Sequence, residues 1–482
     1  MDEAAIVHDV EIVHDVEIEG QMNLLTDLLD RRDIRAHFVG IGGAGMAPLA
    51  SIAAARGWIV TGCDQSTSSV TSMLEVMGVP VAVGLDEGHI IGHDLVVVSS
   101  AVPIDAIEPT VARAKGIPVV KRSLLVGALT RRTRAICIAG THGKSTTTAM
   151  AAVAAIAGGA NPSVLVGAGV PGIGVGGRAG TGELLVVEAD EYDGSFLRFR
   201  PATAVITNIE ADHLDFYSDL DAITNAFRSF LHLVPMGGRI ITCADDAGAR
   251  EIAPPNAEMY GFAADAVWKA RDLVPNEIGG NNFTLRDPEN RDWPVCLALP
   301  GNHNVLDAVA ALAAVSTEVL DFPAAIAALA SFRGANRRFE RKGMVNGIDV
   351  RDDYGHHPTE IVATLGAARA ICRGQLWCVF QPHTFHRTHS LFDGFVHAFS
   401  DAHHVILVDI YSPAGRETPI EGVTSQNLMA RMKHPSVHFA HNFASAVDLI
   451  VRNAKPGDLV LTMGAGTITE IAPMIVKRLA EQ

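Results

Sequence analysis

The residues best suited to chemistry lie in one stretch, residues 140–146, which reads GTHGKST. An apolar, β-branched run precedes this stretch and an alanine-rich segment follows it, so the pattern predicts a strand, a loop and a helix. In such a loop the glycines let backbone amides face a phosphate, Lys144 bridges phosphate oxygens, and the Ser145 hydroxyl ligates Mg²⁺. We therefore predict a nucleoside triphosphate site. The predicted phosphate contacts are Gly140, Thr141, His142, Gly143, Lys144, Ser145 and Thr146.

Candidate metal ligands follow two further predicted strands of the same region. Glu188 comes directly after the apolar run 184–187, and His213 comes soon after the run 204–206. Because the carboxyl ends of parallel strands meet at one sheet edge, we expect both side chains near the phosphate loop. Oxygen ligands suit Mg²⁺, so Glu188 is a candidate metal ligand, with helix capping as its alternative. From the residues alone, His213 is either a ligand or an ordinary polar side chain.

A second glycine-rich loop lies nearer the N-terminus. Gly40, Gly42 and Gly45 form the pattern G-x-G-x-x-G after a short strand, a helix is predicted over 46–55, and Asp64 ends the next strand. This spacing is close to that of a dinucleotide fingerprint, but a helix N-terminus accepts any diphosphate. The ligand of this loop is therefore NAD or another diphosphate.

The C-terminal third carries polar clusters at predicted strand ends. Arg337 and Arg338 are adjacent, and such a pair either clamps a phosphate or forms a solvated loop. Tyr354 and His356 follow another predicted strand, and the segment 381–389 follows the strand predicted at 376–380. Because ligands bind at this edge of open α/β sheets, these clusters are further site candidates.

The order of elements predicts an α/β protein. Apolar runs predict strands at 95–100 and 459–462, and an alanine-rich segment predicts a helix at 308–315. Strands alternate with helices along the chain, which is typical of parallel, doubly wound sheets. The length of 482 residues suggests about three domains. We predict an acidic extension without ordered structure at 1–33, which includes a repeat over 6–17, and domains at 34–133, 134–331 and 332–482.

Composition limits the partners. The formal net charge is −16, from 38 basic and 54 acidic side chains, which argues against general nucleic-acid binding. The six cysteines form no C-x-x-C pair and are expected to be reduced. The apolar tract 149–157 is too short to span a membrane and no signal-peptide pattern opens the chain. We expect a cytoplasmic protein with neither nucleic-acid nor membrane partners.

With these residues in view, the chain resembles the Mur ligase family from about residue 36 to residue 469. The motifs that carry the resemblance occur in the family's order at 40–46, 140–147, 188–191, 207–213, 337–340, 353–360 and 381–383. The resemblance implies three domains: a Rossmann-like UDP-binding domain, a P-loop ATPase-like central domain and a Rossmann-like C-terminal domain. The first loop would then bind a uridine diphosphate in place of NAD.

The implied reaction joins L-alanine to the carboxylate of UDP-N-acetylmuramate through an acyl phosphate, giving ADP and phosphate, in peptidoglycan precursor synthesis. The implied cofactors are ATP and Mg²⁺ or Mn²⁺, and the partners are these small molecules, with the enzyme a monomer or homodimer. Because a carboxylate is a poor acyl donor, ATP first activates it, and the transfer needs charge neutralisation and in-line placement.

The resemblance also assigns residues by position. The implied catalytic residues are Lys144, His213, Arg338 and His356. The implied metal ligands are Ser145, Glu188 and His213. The remaining ATP contacts are His303, Asn304, Arg338 and Asp353. The implied UDP-sugar contacts are Gly40, Gly42, Gly43, Ala44, Gly45, Met46, Asp64 and Ser100, and the amino-acid contacts are Tyr354, His356 and Arg387.

Two departures from the family pattern concern the amino-acid site. Thr384 and His389 stand where many family members have arginine, so Arg387 remains to pair with the L-alanine carboxylate.

Three other functions are the alternatives to an L-alanine ligase. They are a sister ligase that attaches a recycled tripeptide to the same UDP-sugar, an NAD-dependent oxidoreductase, and a non-catalytic nucleotide-binding regulator.

Overall fold

The computed structural model of the chain describes residues 18–99, 101–103, 105–214, 216–413 and 417–482. The repeat at 6–17 lies outside them. Residues 18–28 form a helix, α1, whose apolar side chains Met22, Leu25 and Leu28 are buried. This order differs from the extension predicted for 1–33, because apolar residues three positions apart give the helix one face to bury.

The described chain divides into two compact units. The first contains the chain to Asn208 together with Thr224–Met259 and Ala310–Ala325, and the second contains Ile209–Ile223, Tyr260–Val309 and Ile326–Gln482. The three predicted domain boundaries stay predictions.

The first unit begins with a five-stranded parallel sheet of order β3-β2-β1-β4-β5. Its strands are β1 (Arg35–Val39), β2 (Ile59–Asp64), β3 (Val81–Val83), β4 (Leu95–Val98) and β5 (Val119–Lys121). Its helices are α2 (Met46–Ala55), α3 (Ser69–Val76), α4 (Ile107–Ala114) and α5 (Arg122–Arg131), with a 3₁₀ helix at Glu87–Ile90. The strand order reverses between β1 and β4, and ligands of open α/β sheets bind outside such a reversal.

A second parallel sheet of this unit carries the phosphate loop. The six strands of this sheet that lie wholly within the unit run in the order β11-β10-β6-β9-β7-β8, with β8 antiparallel to β7. They are β6 (Arg134–Ala139), β7 (Ser163–Val170), β8 (Gly174–Arg178), β9 (Leu184–Glu188), β10 (Thr203–Ile206) and β11 (Arg239–Cys243). The helices that follow in the chain are α6 (Lys144–Ala157), α7 (Leu220–Leu231) and α8 (Ala247–Ile252).

Four strands that sequence analysis did not predict come next. They are β12 (Glu258–Gly261), β13 (Trp268–Pro275), β14 (Asn281–Arg286) and β15 (Asp292–Leu297), and the last three form an antiparallel meander. The helices α9 (Asn302–Val315) and α10 (Phe322–Ala328) follow. Because α9 begins at Asn302, His303 and Asn304 lie in its first turn, six residues earlier than the helix predicted at 308–315.

The second unit contains a six-stranded sheet of order β16-β17-β21-β18-β19-β20. Its strands are β16 (Glu340–Val345), β17 (Ile348–Asp353), β18 (Leu376–Phe380), β19 (His404–Leu407), β20 (Val437–Phe439) and β21 (Leu459–Met463). Its helices are α11 (Pro358–Ile371), α12 (Phe385–Ser390), α13 (Phe392–His397), α14 (Ser425–Arg431), α15 (Phe443–Asn453) and α16 (Ile471–Ala480). Alternate residues of β18 feed two apolar clusters, with Phe380 in one and Val379 in the other.

The predicted α/β class with parallel sheets is confirmed. Among the residues that the structure describes, none of the helices combines the length and hydrophobicity that a bilayer span requires.

Candidate active site

The phosphate loop connects β6 to α6 and is held by the residues that follow β10. Gly140 and Gly143 have φ angles of 137° and 82°, and a Cβ on Gly140 would lie 1.9 Å from Thr207 Oγ1, so this turn requires glycine. The side chain of Asn208 clamps the loop, because Oδ1 accepts from His142 N at 2.8 Å and Nδ2 donates to His142 O at 3.0 Å. The loop is therefore fixed before any phosphate binds.

The Lys144 ammonium lies inside this loop. Its Nζ donates to Gly140 O at 2.7 Å, to Thr141 O at 3.1 Å and to Glu191 Oε1 at 2.9 Å. Only 12% of the Lys144 side chain and 3% of the Glu191 side chain is exposed. Glu191 belongs to a motif that the sequence analysis identified, but its role as the partner of Lys144 was not predicted.

Electrostatics keep this lysine charged. Burial disfavours the ammonium, but the carboxylates of Glu191, Asp190 and Glu188 outweigh it and raise the pKa of Lys144. Burial also raises the pKa of Glu191 to about 7, although Lys144 opposes the shift. The loop thus presents a permanent positive charge beside a carboxyl group that takes up a proton readily, which suits a site for an anionic ligand.

Ser145 and Glu188, the two metal ligands predicted beside the phosphate loop, are in direct contact, and their metal role stays a prediction. Ser145 Oγ donates to Glu188 Oε1 at 2.9 Å, and Gly167 N donates to Glu188 Oε2 at 2.6 Å. These contacts join α6 and β7 to the end of β9, so the structure gives no support to the alternative that Glu188 caps the next helix. A hydroxyl and a carboxylate oxygen side by side fit the oxygen ligands that Mg²⁺ takes.

The first glycine-rich loop lies at the end of β1, where the strand order of its sheet reverses. Gly40 has a φ of 77°, and Gly42 N donates to Asp64 Oδ2 at 2.8 Å. Asp64 therefore supports its own loop, which weakens the NAD alternative, since that fingerprint uses the acid for a ribose hydroxyl. Gly43 and Ala44 are exposed.

Arg122 and Met46 also contact this glycine-rich loop. Arg122, the first residue of α5, lies against Gly45, because a Cβ on that glycine would be 2.8 Å from Arg122 Nη1. Sequence analysis missed this cation, although its position directly after β5 could have revealed it. Met46 is buried and its N–H bonds to Gly43 O at 2.9 Å, so it supports the loop from below. Ser100 lies outside the described residues.

In the second unit, Arg387 pairs with a buried carboxylate. Its Nη2 and Nε lie 3.0 and 3.1 Å from Asp212 Oδ1, and its Nη1 lies 3.3 Å from His383 Nδ1. Burial favours protonation of Asp212, but Arg387 and His213 outweigh it and hold the pKa of this carboxyl well below its usual range. The arginine predicted for an amino-acid carboxylate thus already has an anionic partner.

His213 occupies an unusual backbone conformation. Its φ is 53°, in the left-handed region, and its N–H donates to Asp212 Oδ1 at 2.8 Å. Strained positions of this kind concentrate at functional sites, where neighbouring structure holds them in place. The metal role predicted for His213 stays a prediction.

A cationic cluster surrounds Tyr354. The guanidinium carbons of Arg337 and Arg338 lie 4.8 and 5.1 Å from its ring centroid, and Arg338 Nη1 lies 3.5 Å from Glu360 Oε1. The His356 ring meets the Tyr354 ring edge-on at 5.5 Å, and His356 Nδ1 lies 3.1 Å from Tyr354 O. The adjacent arginines are therefore held by the fold and do not form a solvated loop, and the phosphate clamp stays a prediction.

The residues predicted to meet the nucleoside are in part held by the backbone. Asp353 Oδ2 accepts from Phe339 N and Oδ1 accepts from Gly355 N, each at 2.7 Å. Asn304 Nδ2 donates to Pro300 O at 2.6 Å and lies 3.0 Å from His303 Nε2. Asp353 thus organises two turns of the second unit, and its ribose contact stays a prediction.

Buried histidines of the second unit lead to a pH prediction. Burial lowers the pKa of His303, His356 and His383 to about 4, against about 6.5 in the unfolded chain. Between those values the unfolded chain binds more protons than the folded one. We expect the free energy of unfolding to decrease as the pH is lowered through that window, by about 1.4 kcal/mol per pH unit for each histidine. Urea titrations at several pH values should show a smaller change of the unfolding free energy per pH unit in His356→Gln than in the wild type. An NMR pH titration of the folded protein in which the His356 imidazole has a midpoint near its unfolded value would contradict the prediction.

Three family models match consecutive parts of the chain. The model described as "Mur ligase family, catalytic domain" matches residues 35–134, "Mur ligase middle domain" matches 138–315, and "Mur ligase, glutamate ligase domain" matches 337–466.

Individual relatives resemble the chain over most of its length. A protein of Acidobacterium capsulatum named UDP-N-acetylmuramate--L-alanine ligase is 41% identical over 448 residues, covering 92% of this chain and 97% of the relative. The crystal structure of UDP-N-acetylmuramate-alanine ligase MurC from Thermotoga maritima gives a TM-score of 0.77 at 26% identity, over 93% of this chain and 99% of that one. A murein peptide ligase from Psychrobacter arcticus gives 0.69 at 27% identity, over the same shares.

Proposed function

The chain belongs to the Mur ligase family, and from that premise we propose that it joins L-alanine to the carboxylate of UDP-N-acetylmuramate, with ATP converted to ADP and phosphate. The observation that carries the proposal is the buried Lys144 ammonium in a loop beside the Ser145–Glu188 pair. This arrangement suits phosphoryl transfer, which depends on positioning and charge neutralisation. We propose a cytoplasmic enzyme that acts on small molecules, and the free state of all six cysteines supports that location.

The first step makes the acyl group reactive. A carboxylate oxygen attacks the γ-phosphorus, the bond from that phosphorus to the β,γ-bridging oxygen breaks, and ADP leaves with the electron pair. Lys144 stabilises the negative charge on the transferring phosphoryl group, and the backbone of 140–146 orients the phosphates. Ser145 and Glu188 are the residues proposed to hold Mg²⁺, with His213 proposed for a further ion, and when bound the metal supplies positive charge to the phosphates. Arg338 is proposed as a further contact of the γ-phosphate.

The second step forms the amide. The amine nitrogen attacks the acyl carbon, the carbon–oxygen bond to phosphate breaks, and phosphate leaves while the nitrogen loses its proton. With a proton on Nδ1, His356 donates to Tyr354 O and keeps Nε2 as an acceptor. Because burial lowers the pKa of His356 to about 4, the imidazole stays neutral and orients the amine by accepting its hydrogen bond, and the amine proton is lost to water.

The glycine-rich loop of the first sheet is the proposed diphosphate site. Exposed Gly43 and Ala44 leave room for a close approach of backbone amides, and Arg122 places a guanidinium beside Gly45. A guanidinium and oriented amides together recognise a diphosphate. His303, Asn304 and Asp353 are proposed for the nucleoside of ATP.

The choice of amino acid separates this proposal from the sister activity. Identity of 41% with a relative named for L-alanine favours L-alanine, while likeness to a murein peptide ligase at 27% identity keeps the tripeptide as the second candidate.

An ADP-release assay with UDP-N-acetylmuramate tests both candidates. We expect the highest kcat/KM with L-alanine, and a value at least about tenfold lower with glycine, which lacks one methyl group. L-Serine and the recycled tripeptide serve as competitors, and hydroxylamine should trap the acyl phosphate when the amino acid is left out. A higher kcat/KM with the tripeptide would favour the sister activity, and no ADP release with any acceptor would refute ligation.

A further inference from the structure

A second group of metal-ligating side chains lies in the first sheet, apart from the phosphate loop. It consists of His37 on β1, Cys63 on β2, His89 on the 3₁₀ helix and Glu108 on α4, and one ligating atom of each lies within 4.8 Å of all the others. We call this set the Cys-His-His-Glu cluster. His37 pairs with Thr61 in the parallel ladder, and Cys63 is two residues further on, so all three side chains point to the same face.

Glu108 is at the centre of the cluster. Its Oε2 lies 3.1 Å from Cys63 Sγ and 3.5 Å from His37 Nε2, and its Oε1 lies 2.7 Å from His89 Nδ1. The carboxylate is completely buried and accepts from Asp86 N at 3.1 Å, and among the described residues the basic groups within 4 Å of it are these two imidazoles, which carry a charge only when protonated. A buried carboxylate needs a strong cationic partner or a metal ion to offset its lost hydration.

The His37 imidazole is oriented as a ligand. Its Nδ1 lies 2.8 Å from Thr61 Oγ1, which in turn lies 2.9 Å from His93 Nε2. With the proton on Nδ1, the Thr61 hydroxyl fixes the ring and leaves the lone pair of Nε2 directed into the cluster. The His37 side chain is 2% exposed, and its Nε2 has no hydrogen-bond partner in the structure. An acceptor left unsatisfied in this way is costly unless something binds it.

We propose that the Cys-His-His-Glu cluster binds one zinc ion as a structural site. One thiolate, two imidazoles and one carboxylate are four donors of the types that zinc takes in tetrahedral sites, and the two anionic ligands balance its charge. Four protein ligands leave no open position, which is typical of a structural ion. His89, whose side chain is 25% exposed, marks the side from which the ion enters. Binding replaces the thiol proton of Cys63 by a metal–sulfur bond and releases that proton to solvent.

The ion would strengthen the support of the glycine-rich loop. Cys63 O accepts from Gly40 N at 2.9 Å and from Ile41 N at 3.0 Å, and the next residue, Asp64, accepts from Gly42 N. A bond from the ion to Cys63 would therefore fix the end of β2 that holds the loop. The four ligands come from four separate elements, so the ion would link them and stabilise the folded state.

Cobalt substitution of the full-length protein tests the site. Titration with Co²⁺ in excess Mg²⁺ should reach one equivalent per chain and produce a thiolate-to-cobalt charge-transfer band, which zinc then removes by displacement. Cys63→Ser should lose this band, while Cys378→Ser, an equally buried cysteine in β18, should keep it. Zinc should raise Tm in the wild type and in Cys378→Ser but not in Cys63→Ser.

Further variants keep the proposal open to refutation if Cys63→Ser does not fold. Glu108→Gln and His37→Gln should each weaken Co²⁺ binding by at least about tenfold, since each loses a ligand. Circular dichroism checks that the variants fold. An anomalous difference peak at the zinc edge among the four side chains would support the site. No charge-transfer band in the folded wild type, or a band that persists in Cys63→Ser, would overturn it.

Discussion

Replacing Lys144 by alanine should reduce kcat for ADP release by about 10³-fold while the protein stays folded. Lys144 is the buried cation of the phosphate loop, and one preorganised donor to a developing negative charge is worth about 10² to 10³ in kcat. The loss should fall on kcat more than on the KM for UDP-N-acetylmuramate, since the missing charge acts on the transferring phosphoryl group.

The fold should survive this change because the partner of Lys144 can neutralise itself. Burial raises the pKa of Glu191 to about 7 even with the ammonium beside it, so without Lys144 this carboxyl takes up a proton. Circular dichroism and Tm of the variant check this expectation. A collapse of Tm would mean that the lysine is needed mainly for structure.

Two matched variants isolate the role of the charge. Lys115→Ala removes an exposed lysine and should leave kcat within about twofold of the wild type. Glu191→Gln keeps an acceptor at 2.9 Å from Nζ but removes the opposing charge, so it should retain far more activity than Lys144→Ala. Unchanged turnover in Lys144→Ala would contradict the proposed role.

The parts of the fold that could be predicted from sequence follow local patterns. Apolar β-branched runs gave β4, β9, β18 and β21 to within one or two residues, because buried parallel strands need a continuous apolar run. The GTHGKST stretch gave the phosphate loop, since glycine at Gly140 is demanded by the close approach of Thr207. Both signals lie within a few residues of the feature they predict.

Features set by distant contacts could not be predicted in the same way. In the meander β13–β15 polar and apolar residues alternate, with Phe283, Leu285, Val295 and Leu297 buried, but two buried apolar residues per strand are too short a period to indicate a strand in the sequence. Helix propensity placed the start of α9 at the alanine run, whereas the helix begins at Asn302.

The side-chain contacts within the candidate site were the hardest features to predict from the sequence. Glu191 with Lys144, Asp212 with Arg387 and Arg122 with Gly45 each join residues far apart in the chain. Thr384 also adopts a φ of 66°, which is unusual for a β-branched residue, and caps α12 through a bond from Arg387 N. No local rule indicates such a conformation, because surrounding structure imposes it.

Replacing Arg387 by alanine should lower the free energy of unfolding by about 3 to 5 kcal/mol. The change leaves the Asp212 carboxylate buried without its partner, and an uncompensated buried charge costs about that much. Arg431→Ala is the matched control, because Arg431 pairs with Asp393 at a similar distance of 2.9 Å on an exposed surface. We expect that control to cost at most about 1 kcal/mol in urea titrations. Equal losses in the two variants would contradict a special role for the buried pair.

The same arginine is proposed to bind the carboxylate of L-alanine, and a second substitution separates the two roles. Asp212→Asn removes the stranded charge, so the double variant with Arg387→Ala should regain most of the lost stability. If Arg387 also holds the substrate, the KM for L-alanine should stay raised in the double variant, because restoring the fold does not restore the cation. A KM that returns to the wild-type value with the stability would make Arg387 a purely structural partner of Asp212. A defect confined to ATP affinity would instead assign this guanidinium to the nucleotide.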